Sequence, residues 1–427
     1  FFIRNMVNRK IAPLIKRIEK LHLPKPRKMR LSNGLRVHVI DMGTQDVLKL
    51  QLVFRAGRPF EKKKLIAKTT ARLLREGTTN FSSAAIAEQI DFYGATLSTP
   101  TNLDNSNLVF YTLSKHFETL LPLVTELLTA PTFPEEELKA YIDNTKRKLQ
   151  VDLTKNDVVA YRKVTEFIFG KHHPYGYNSD NRAYNSVKRA DLIQHFNKHY
   201  NARNCELFIS GRVTDEVIRL LDQSIGQLKI GRKSRLPKFK LTDIIPEKRH
   251  ISIPNSMQTA IRIGKRIIGR THPDFAGFTV LNTILGGYFG SRLMMNIREE
   301  KGYTYNIYST QDTMMHDACF YVSTEVGNEF TAAATKEIYQ EIDKLCTDLV
   351  PEGELEMVRN YMLGNMLNMV DGPFHVADVI KTMVLNDMPY ETFDTLISTV
   401  NTISAQELRD LAQKYLYQQD MWEVTAG

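Results

Sequence analysis

The chain has few cysteines and no long apolar stretch. Its 427 residues include only three cysteines, at the widely spaced positions Cys205, Cys319 and Cys346. An odd number at this spacing gives neither a disulfide framework nor a thiolate metal cluster. Cys205 and Cys319 begin apolar runs, so we expect them to be buried thiols on strands. No run of eighteen apolar residues occurs, and the sequence therefore predicts no membrane span.

Two further absences bear on the compartment and on the chemistry. The apolar run that opens the sequence is too short for the core of a signal peptide, and the cysteines form no evident pairs. We therefore expect a cytoplasmic protein, with the periplasm as the alternative. No glycine-rich phosphate loop, Ser-His-Asp grouping or Cys-His pair stands out in the sequence, so these nucleotide sites and nucleophiles do not account for the chain.

The net charge of +9 is concentrated at one end of the chain. Residues 1–30 carry ten Lys and Arg against one acid, which leaves 47 basic and 47 acidic residues in the other 397. A basic arm can bind nucleic acid, an anionic membrane surface or an acidic protein. No aromatic interleaving or base-reading motif accompanies this charge. We predict an amphipathic helix that packs on the body or on a partner, and no nucleic-acid binding, because apolar residues recur at helical spacing at Ile11, Leu14, Ile15, Ile18 and Leu21.

The pattern of predicted strands and helices occurs twice. Residues 31–225 have the periodicities of alternating strands and amphipathic helices, and the same order returns over 250–427. Between them, 226–249 is basic and rich in Gly and Pro, which is typical of an interdomain linker. PEEEL at 134–138 and PEGEL at 351–355 each open a long predicted helix with Pro at its start. We therefore predict an α+β fold of two homologous domains, each a mainly antiparallel sheet packed with helices, related by internal duplication.

The segment Leu285–Ser309, LGGYFGSRLMMNIREEKGYTYNIYS, is the most informative in the chain. Its pattern predicts a backbone break at the two glycines, a helix over 291–300 and a strand over 303–309. Arg298 at the helix end and Tyr305 on the strand can then converge and offer a guanidinium and a phenol to an anionic or carbonyl oxygen. From spacing alone, the alternative is a surface arginine and a half-buried strand tyrosine.

One pair of histidines has the spacing of metal ligands. His195 and His199 lie four residues apart in a helical pattern, which places both rings on one face of a helix. The nearest carboxylate that follows, Glu206, is predicted to lie on the next strand. We therefore expect two solvent-facing histidines on a surface helix, and not a metal site.

Short motifs along both halves point to one family. The first half contains LSNGLRV, a helix that runs into Glu76-Gly77-Thr78, and Gly94-Ala95-Thr96; the second contains LGGYFGSRLMMNIREEKGYTY. Together they resemble the insulinase/pitrilysin zinc peptidases, the inverzincins, and especially their short-chain branch of mitochondrial-processing-peptidase type. The last motif is similar to the family's Gly-rich loop and Arg/Tyr segment and is the most specific match. The resemblance also implies that Gly94, Ala95 and Thr96 belong to a strand that binds peptide substrate.

The catalytic motif of that family is missing. Members carry H-x-x-E-H on the helix before Gly-Thr, where two histidines hold zinc and the glutamate deprotonates the attacking water. Counting back from Gly77-Thr78 places Lys68 and Arg72 at the histidine positions and Ala71 at the glutamate position. A small error in this alignment does not restore the motif, because residues 39–115 contain no histidine.

The third zinc ligand of the family is missing as well. It is a glutamate on the long helix after Pro134, and residues 139–164 contain no glutamate. Lysine and arginine at ligand positions repel a dication. We therefore predict a degenerate zinc site, with no metal and no cofactor in this chain.

The resemblance implies that this chain works beside a second one. In the family, the zinc-bearing N-terminal domain of one subunit faces the C-terminal domain of another, whose Arg/Tyr pair contacts the substrate; here the pair is Arg298 and Tyr305. A preorganised cation and phenol stabilise an oxyanion in a transition state. We therefore predict the non-metal subunit of a heterodimeric peptidase, inactive alone. Its expected partners are a homologous H-x-x-E-H subunit that holds the zinc and an extended peptide substrate.

Two alternatives within the same family stay open. The first is a catalytically inactive core or scaffold protein in which Arg298 and Tyr305 are vestigial. The second is a peptide-binding protein that adds an extended peptide to a sheet edge near residues 94–99. The substrate sequence and the identity of the partner lie beyond what the sequence specifies.

Overall fold

A computed structural model describes residue 18 and residues 20–239 and 245–427. Most of the predicted amphipathic helix in the basic arm therefore lies outside the described residues. The strands are β1 (Arg27–Arg30), β2 (Arg36–Asp41), β3 (Val47–Phe54), β4 (Thr96–Ser98), β5 (Ser106–Leu113), β6 (Cys205–Gly211), β7 (Lys248–Ile251), β8 (Gln258–Arg266), β9 (Ile307–Thr313), β10 (Ala318–Gly327) and β11 (Trp422–Ala426). The α-helices are α1 (Ile66–Leu73), α2 (Ser83–Phe92), α3 (Phe117–Thr129), α4 (Glu135–Asp152), α5 (Asn156–Phe169), α6 (Asn181–Ser186), α7 (Arg189–His199), α8 (Asp215–Ser224), α9 (Phe275–Asn282), α10 (Thr331–Thr347), α11 (Glu352–Met369), α12 (Gly372–Leu385), α13 (Glu391–Thr402) and α14 (Ala405–Tyr415).

The first half is built on a six-stranded sheet with the order β1-β2-β6-β3-β5-β4. Only β2 and β6 run parallel; the other neighbours are antiparallel. The predicted Asn-Gly turn joins β1 to β2, with Gly34 at a φ of 80° that favours glycine. The Asn33 amide also donates to the carbonyls of Ile225 and Leu228, at 3.0 and 3.1 Å, and so fixes this turn to the end of the domain.

The second half is built on a five-stranded sheet with the order β7-β11-β8-β10-β9. Here only β7 and β11 run parallel. The sheet therefore has the arrangement of β2-β6-β3-β5-β4 in the first half, strand for strand. The 18-residue helices α4 and α11 follow Pro134 and Pro351 at equivalent places. The predicted α+β fold of two homologous, duplicated domains is confirmed.

Each half contributes one helix that packs on the sheet of the other half. Helix α5 packs on β8, β10 and β11 of the second sheet, where Ile168 and Phe169 join Tyr321, Trp422 and Val424 in one apolar cluster. Phe167 also stacks on the Trp422 ring at a centroid distance of 4.9 Å.

Helix α12 makes the reciprocal contact with the first sheet. It packs on β2 and β6, and its Lys49–Asp378 ion pair joins the halves at 3.0 Å. Both sheets are thus covered on one face by their own helices and on the other by a helix of the other half. The exact domain boundaries, including the linker over 226–249, stay predictions.

Several local expectations can be compared directly with the fold. Cys205 and Cys319 lie buried on β6 and β10, as predicted, and Cys346 lies half-buried on α10. Helix α2 begins after Ser82, whose hydroxyl accepts a hydrogen bond from the Ala85 amide at 3.2 Å. Among the residues that the structure describes, no helix is both long and apolar enough to cross a membrane.

Candidate functional site

Helix α1 carries the positions that hold zinc in active members of the resembled family. Thr69 and Thr70 point into the domain and are buried, whereas Lys68 and Arg72 lie on the exposed face one turn apart. Arg72 donates to Glu76 at 2.9 Å, so its charge already has a partner. Partial burial of the Lys68 ammonium lowers its pKa, although much of the side chain is exposed.

Two further cations lie close enough to Lys68 to affect it. Repulsion from Arg58 and Lys148 adds to the lowering of the Lys68 pKa. Lys148 lies on α4, the long helix after Pro134 on which the family's third zinc ligand is expected. A lysine thus occupies this region of α4, and nothing in the sequence pattern marked it. The helices that would supply zinc ligands instead supply three cations, Lys68, Arg72 and Lys148.

These residues do not fit a zinc ion. Zinc sites in proteins use His, Cys, Asp or Glu, and a lysine or arginine side chain offers no lone pair while it is charged. In the described part of the chain, no group of three or more such side chains is placed to hold a metal ion. The chemistry of the donor set therefore excludes this helix as a zinc site.

The predicted substrate strand lies at a sheet edge. Gly94 precedes it with a φ of 59°, Ala95 is buried, and β4 begins at Thr96, whose side chain is exposed. Among the described residues, β4 pairs only with β5, and its other edge carries no strand and could accept an incoming one. Arg75 donates to the Leu97 carbonyl at 3.1 Å and so already covers one of the acceptors of β4.

Arg298 and Tyr305 are brought together, although through the backbone of the tyrosine. The Arg298 Nε donates to the Tyr305 carbonyl at 3.0 Å, and its guanidinium carbon lies 4.7 Å from the Phe289 ring. A second nitrogen, Nη1, is paired with Glu299. Arg298 is therefore held in place by three contacts, in the last turns of a wide helical segment over Met294–Glu300.

Tyr305 does not lie on a strand, so that prediction is wrong. It lies in a loop after Gly302, whose φ is 63°, and β9 begins two residues later. The Thr304 hydroxyl explains the change, because it bonds the carbonyls of Asn306 and Glu325 at 3.0 and 2.7 Å in place of strand pairing. The Tyr305 side chain is 92% exposed, so its phenol is free to meet another molecule.

His195 and His199 are buried, which contradicts the expected exposed position. They face inward from α7, with 5% and 3% of each residue exposed. His195 Nε2 donates to the Ala56 carbonyl at 3.0 Å, and His199 Nδ1 lies 2.6 Å from the Ser234 hydroxyl. Burial lowers the pKa of His195 to about 4 and that of His199 to about 3, in the second case with further repulsion from His195.

A buried acid beside α1 gave no signal in the sequence. Glu61 accepts hydrogen bonds from the Ala67 amide, at 3.1 Å, and from the Tyr177 hydroxyl, and burial raises its pKa. The Arg58 guanidinium carbon lies 4.3 Å from the Tyr177 ring. Because these partners come from connections that are distant in sequence, only the fold brings them together.

Comparison with known families agrees with both halves of the fold. Residues 36–173 match the model of the insulinase family, peptidase family M16, and residues 186–362 match that of the peptidase M16 inactive domain. The two matched segments together span most of the chain.

Relatives in sequence and solved structures match the chain over most of its length. A protein named non-peptidase homolog YmxG of Helicobacter pylori is 23% identical over 88% of this chain and 87% of its own length. The mitochondrial-processing peptidase subunit beta of rat is 21% identical over 93% of this chain and 83% of its own length. The crystal structure of a peptidase M16 inactive domain from Pseudomonas fluorescens superposes with a TM-score of 0.86, 22% identity and coverage of 94% of this chain and 98% of that one. The chain belongs to the insulinase family of peptidases, peptidase family M16.

Proposed function

We propose that this chain is the non-metal subunit of a heterodimeric M16 peptidase. It completes the active site of a homologous subunit that carries H-x-x-E-H, and it places Arg298 and Tyr305 against the partner's bound peptide. The observation that carries this proposal is the contrast between the two halves. In the first half, Lys68, Ala71 and Arg72 occupy the aligned positions of the zinc motif, while in the second half Arg298 is hydrogen-bonded to the backbone of the exposed Tyr305.

The positive charges near α1 support an active site in which a second chain supplies the metal. Lys68, Arg72 and Lys148 lie where the family's ligands would converge, so this half cannot activate water through a metal. A chain that keeps a preorganised cation and phenol needs a second chain to supply the reacting centre. The similarity to the mitochondrial-processing peptidase subunit beta of rat, a protein named as a subunit, is consistent with such a pairing.

The free edge of β4 supports a peptide as the ligand. An extended peptide can add to an exposed edge through backbone hydrogen bonds, and here β4 has no strand on its outer side among the described residues. The bond from Arg75 to the Leu97 carbonyl would have to open first. This edge also favours the second candidate function, a peptide-binding protein without catalysis.

Mixing experiments test the proposal directly. We expect the purified H-x-x-E-H homologue to cleave a fluorogenic peptide slowly, and addition of this chain to raise kcat/KM by about tenfold or more because substrate becomes correctly positioned. The rise should saturate at one chain per partner. Arg203→Ala, a change in a turn far in sequence from both candidate segments, serves as the matched control and should activate equally. If the partner's activity does not respond to this chain, the heterodimer proposal is wrong.

Metal analysis makes a separate prediction about the degenerate site. After dialysis against zinc, the pure chain should retain no stoichiometric metal, whereas the H-x-x-E-H homologue treated alongside should retain one ion. The variant Lys68→His/Ala71→Glu/Arg72→His should bind zinc weakly, and addition of Lys148→Glu should strengthen the binding by supplying a third ligand. Stoichiometric zinc in the unmodified chain would contradict our interpretation of α1.

A further inference from the structure

The second half contains an apolar cavity of about 550 Å³ that plays no part in the proposed function. This volume lies within the range of small-molecule sites in proteins. The cavity is open on one side and lies between two connections, the one from β8 to α9 and the one from α12 to α13. Its walls are mainly apolar, with the side chains of Phe275, Val379, Met383, Met388, Phe393 and Leu396.

Arg270 brings a positive charge to this apolar wall without a partner for it. Its guanidinium carbon lies 5.8 Å from the Phe275 ring, and among the described residues it has no ion pair or hydrogen bond. Burial lowers its pKa, and no neighbouring carboxylate opposes this effect. A partly buried guanidinium without an acceptor is unfavourable, so an anion that reached it would be bound strongly.

The duplicated half shows how such an arginine is satisfied when its space is filled. Arg58 lies four residues after the end of β3, as Arg270 lies four residues after the end of β8. Arg58 donates to the carbonyls of Pro174 and Tyr177, at 3.2 and 3.3 Å, and it also lies against the Tyr177 ring. In the first half, the connection after α5 therefore supplies both acceptors and a ring.

In the second half, the equivalent connection leaves the space open. It follows α12 and contains Asp387, Met388 and Pro389, which line the cavity without bonding Arg270. Asp387 is exposed and has no ion pair with Arg270, so it does not neutralise the guanidinium. Of these two positions related by duplication, Arg58 is hydrogen-bonded, whereas Arg270 has no hydrogen-bond acceptor within the part of the chain that the structure describes.

We propose that the cavity binds a small carboxylic acid with an apolar tail, of the chemical class of medium-chain fatty acids. The carboxylate accepts hydrogen bonds from the Arg270 guanidinium, whose planar geometry suits a two-oxygen acceptor. The tail lies against the methionine and phenylalanine side chains, and methionine adapts well to ligands of irregular shape. This site is independent of the peptidase proposal, because neither α1 nor Arg298 takes part in it.

Calorimetric titration of the full chain with dodecanoate, below the concentration at which it forms micelles, tests the proposal. We expect one site per chain with a Kd on the order of 10 µM, and weakening by about tenfold or more in Arg270→Gln because a charge-assisted bond is lost. The exposed Arg235→Gln is the matched control and should bind as the unmodified chain does. The neutral 1-dodecanol should bind the unmodified chain more weakly than dodecanoate does. On Arg270→Gln, 1-dodecanol and dodecanoate should bind with equal affinity.

A second variant keeps the test valid if Arg270→Gln changes the fold. Ala276→Phe fills the cavity from α9 and keeps the charge, so it should remove binding while the unfolding midpoint stays close to that of the unmodified chain. Equal affinity of Arg270→Gln and Arg235→Gln for dodecanoate would overturn the proposal. So would an absence of binding, or undiminished binding to Ala276→Phe.

Discussion

Replacing Arg298 with alanine should lower kcat of the assembled heterodimer by about 100-fold, which is the usual cost of removing one donor to a developing oxyanion. KM should change little, because an interaction made mainly in the transition state contributes little to substrate binding. The geometry of Arg298 supports this expectation. Its Nε and Nη1 are engaged by the Tyr305 carbonyl and by Glu299, which leaves Nη2 without a partner among the described residues and available to a peptide.

Arg298→Ala alone cannot separate a catalytic role from a structural one. The same guanidinium holds the loop that carries Tyr305, so its loss could act by releasing that loop. Tyr305→Phe distinguishes the two, since it keeps the backbone carbonyl that Arg298 binds and removes only the hydroxyl. We expect about a tenfold fall in kcat for Tyr305→Phe.

The controls for these two variants come from the same chain. Tyr417→Phe changes a tyrosine that is 53% exposed and lies far from the pair in sequence, and it should have no effect on kcat. Each variant should first be shown to bind the H-x-x-E-H subunit as tightly as the unmodified chain. If Arg298→Ala and Tyr305→Phe both assemble and both keep full kcat, the pair is vestigial and the scaffold alternative gains support.

The sequence was most informative where local chemistry and fold agree. The two Pro-Glu motifs predicted two equivalent long helices, and the structure has 18-residue helices at both places, Glu135–Asp152 and Glu352–Met369. These helices lie at equivalent places in the two halves, so their sequence motifs revealed the duplication and allowed the fold class to be predicted without a structure.

Predictions failed where a distant contact decides the outcome. The strand over 303–309 had the right alternation, but the Thr304 hydroxyl bonds Glu325 on another strand and keeps Tyr305 in a loop. No sequence pattern indicated that Lys148 lies near Lys68, because this proximity depends on how α4 packs. His195 and His199 were expected to face solvent from a surface helix, whereas in the structure they are buried with a backbone carbonyl and a hydroxyl as partners.

The burial of His195 and His199 predicts a steep loss of stability in mild acid. In the unfolded chain both titrate near the ordinary value of 6.5, whereas in the fold their pKa values are about 4 and about 3. Above pH 6.5 both states are neutral and the histidines add no pH dependence. As the pH falls below 6.5, the unfolded chain takes up protons that the folded chain cannot, and the free energy of unfolding decreases.

The loss should continue until the folded-state pKa of each residue is reached. Each histidine contributes on the order of 3 kcal/mol over this range, a large share of the stability of a typical domain. Denaturant titrations followed by circular dichroism, at intervals from neutral pH to about pH 4, measure the slope, to which His195 and His199 together contribute the uptake of up to two protons on unfolding. Buried Glu61 acts in the opposite direction, because its raised pKa makes the folded state bind a proton first.

Variants can assign this slope to the two residues. His195→Gln places an amide donor near the position of Nε2, which bonds the Ala56 carbonyl, and His199→Asn places an amide near Nδ1, which bonds Ser234. Each should lower the number of protons taken up on unfolding by close to one, and the double variant should lower it by close to two. His172→Asn changes an exposed histidine in a loop and should leave the slope as it is. If the double variant and His172→Asn show the same pH dependence as the unmodified chain, the acid sensitivity has another origin.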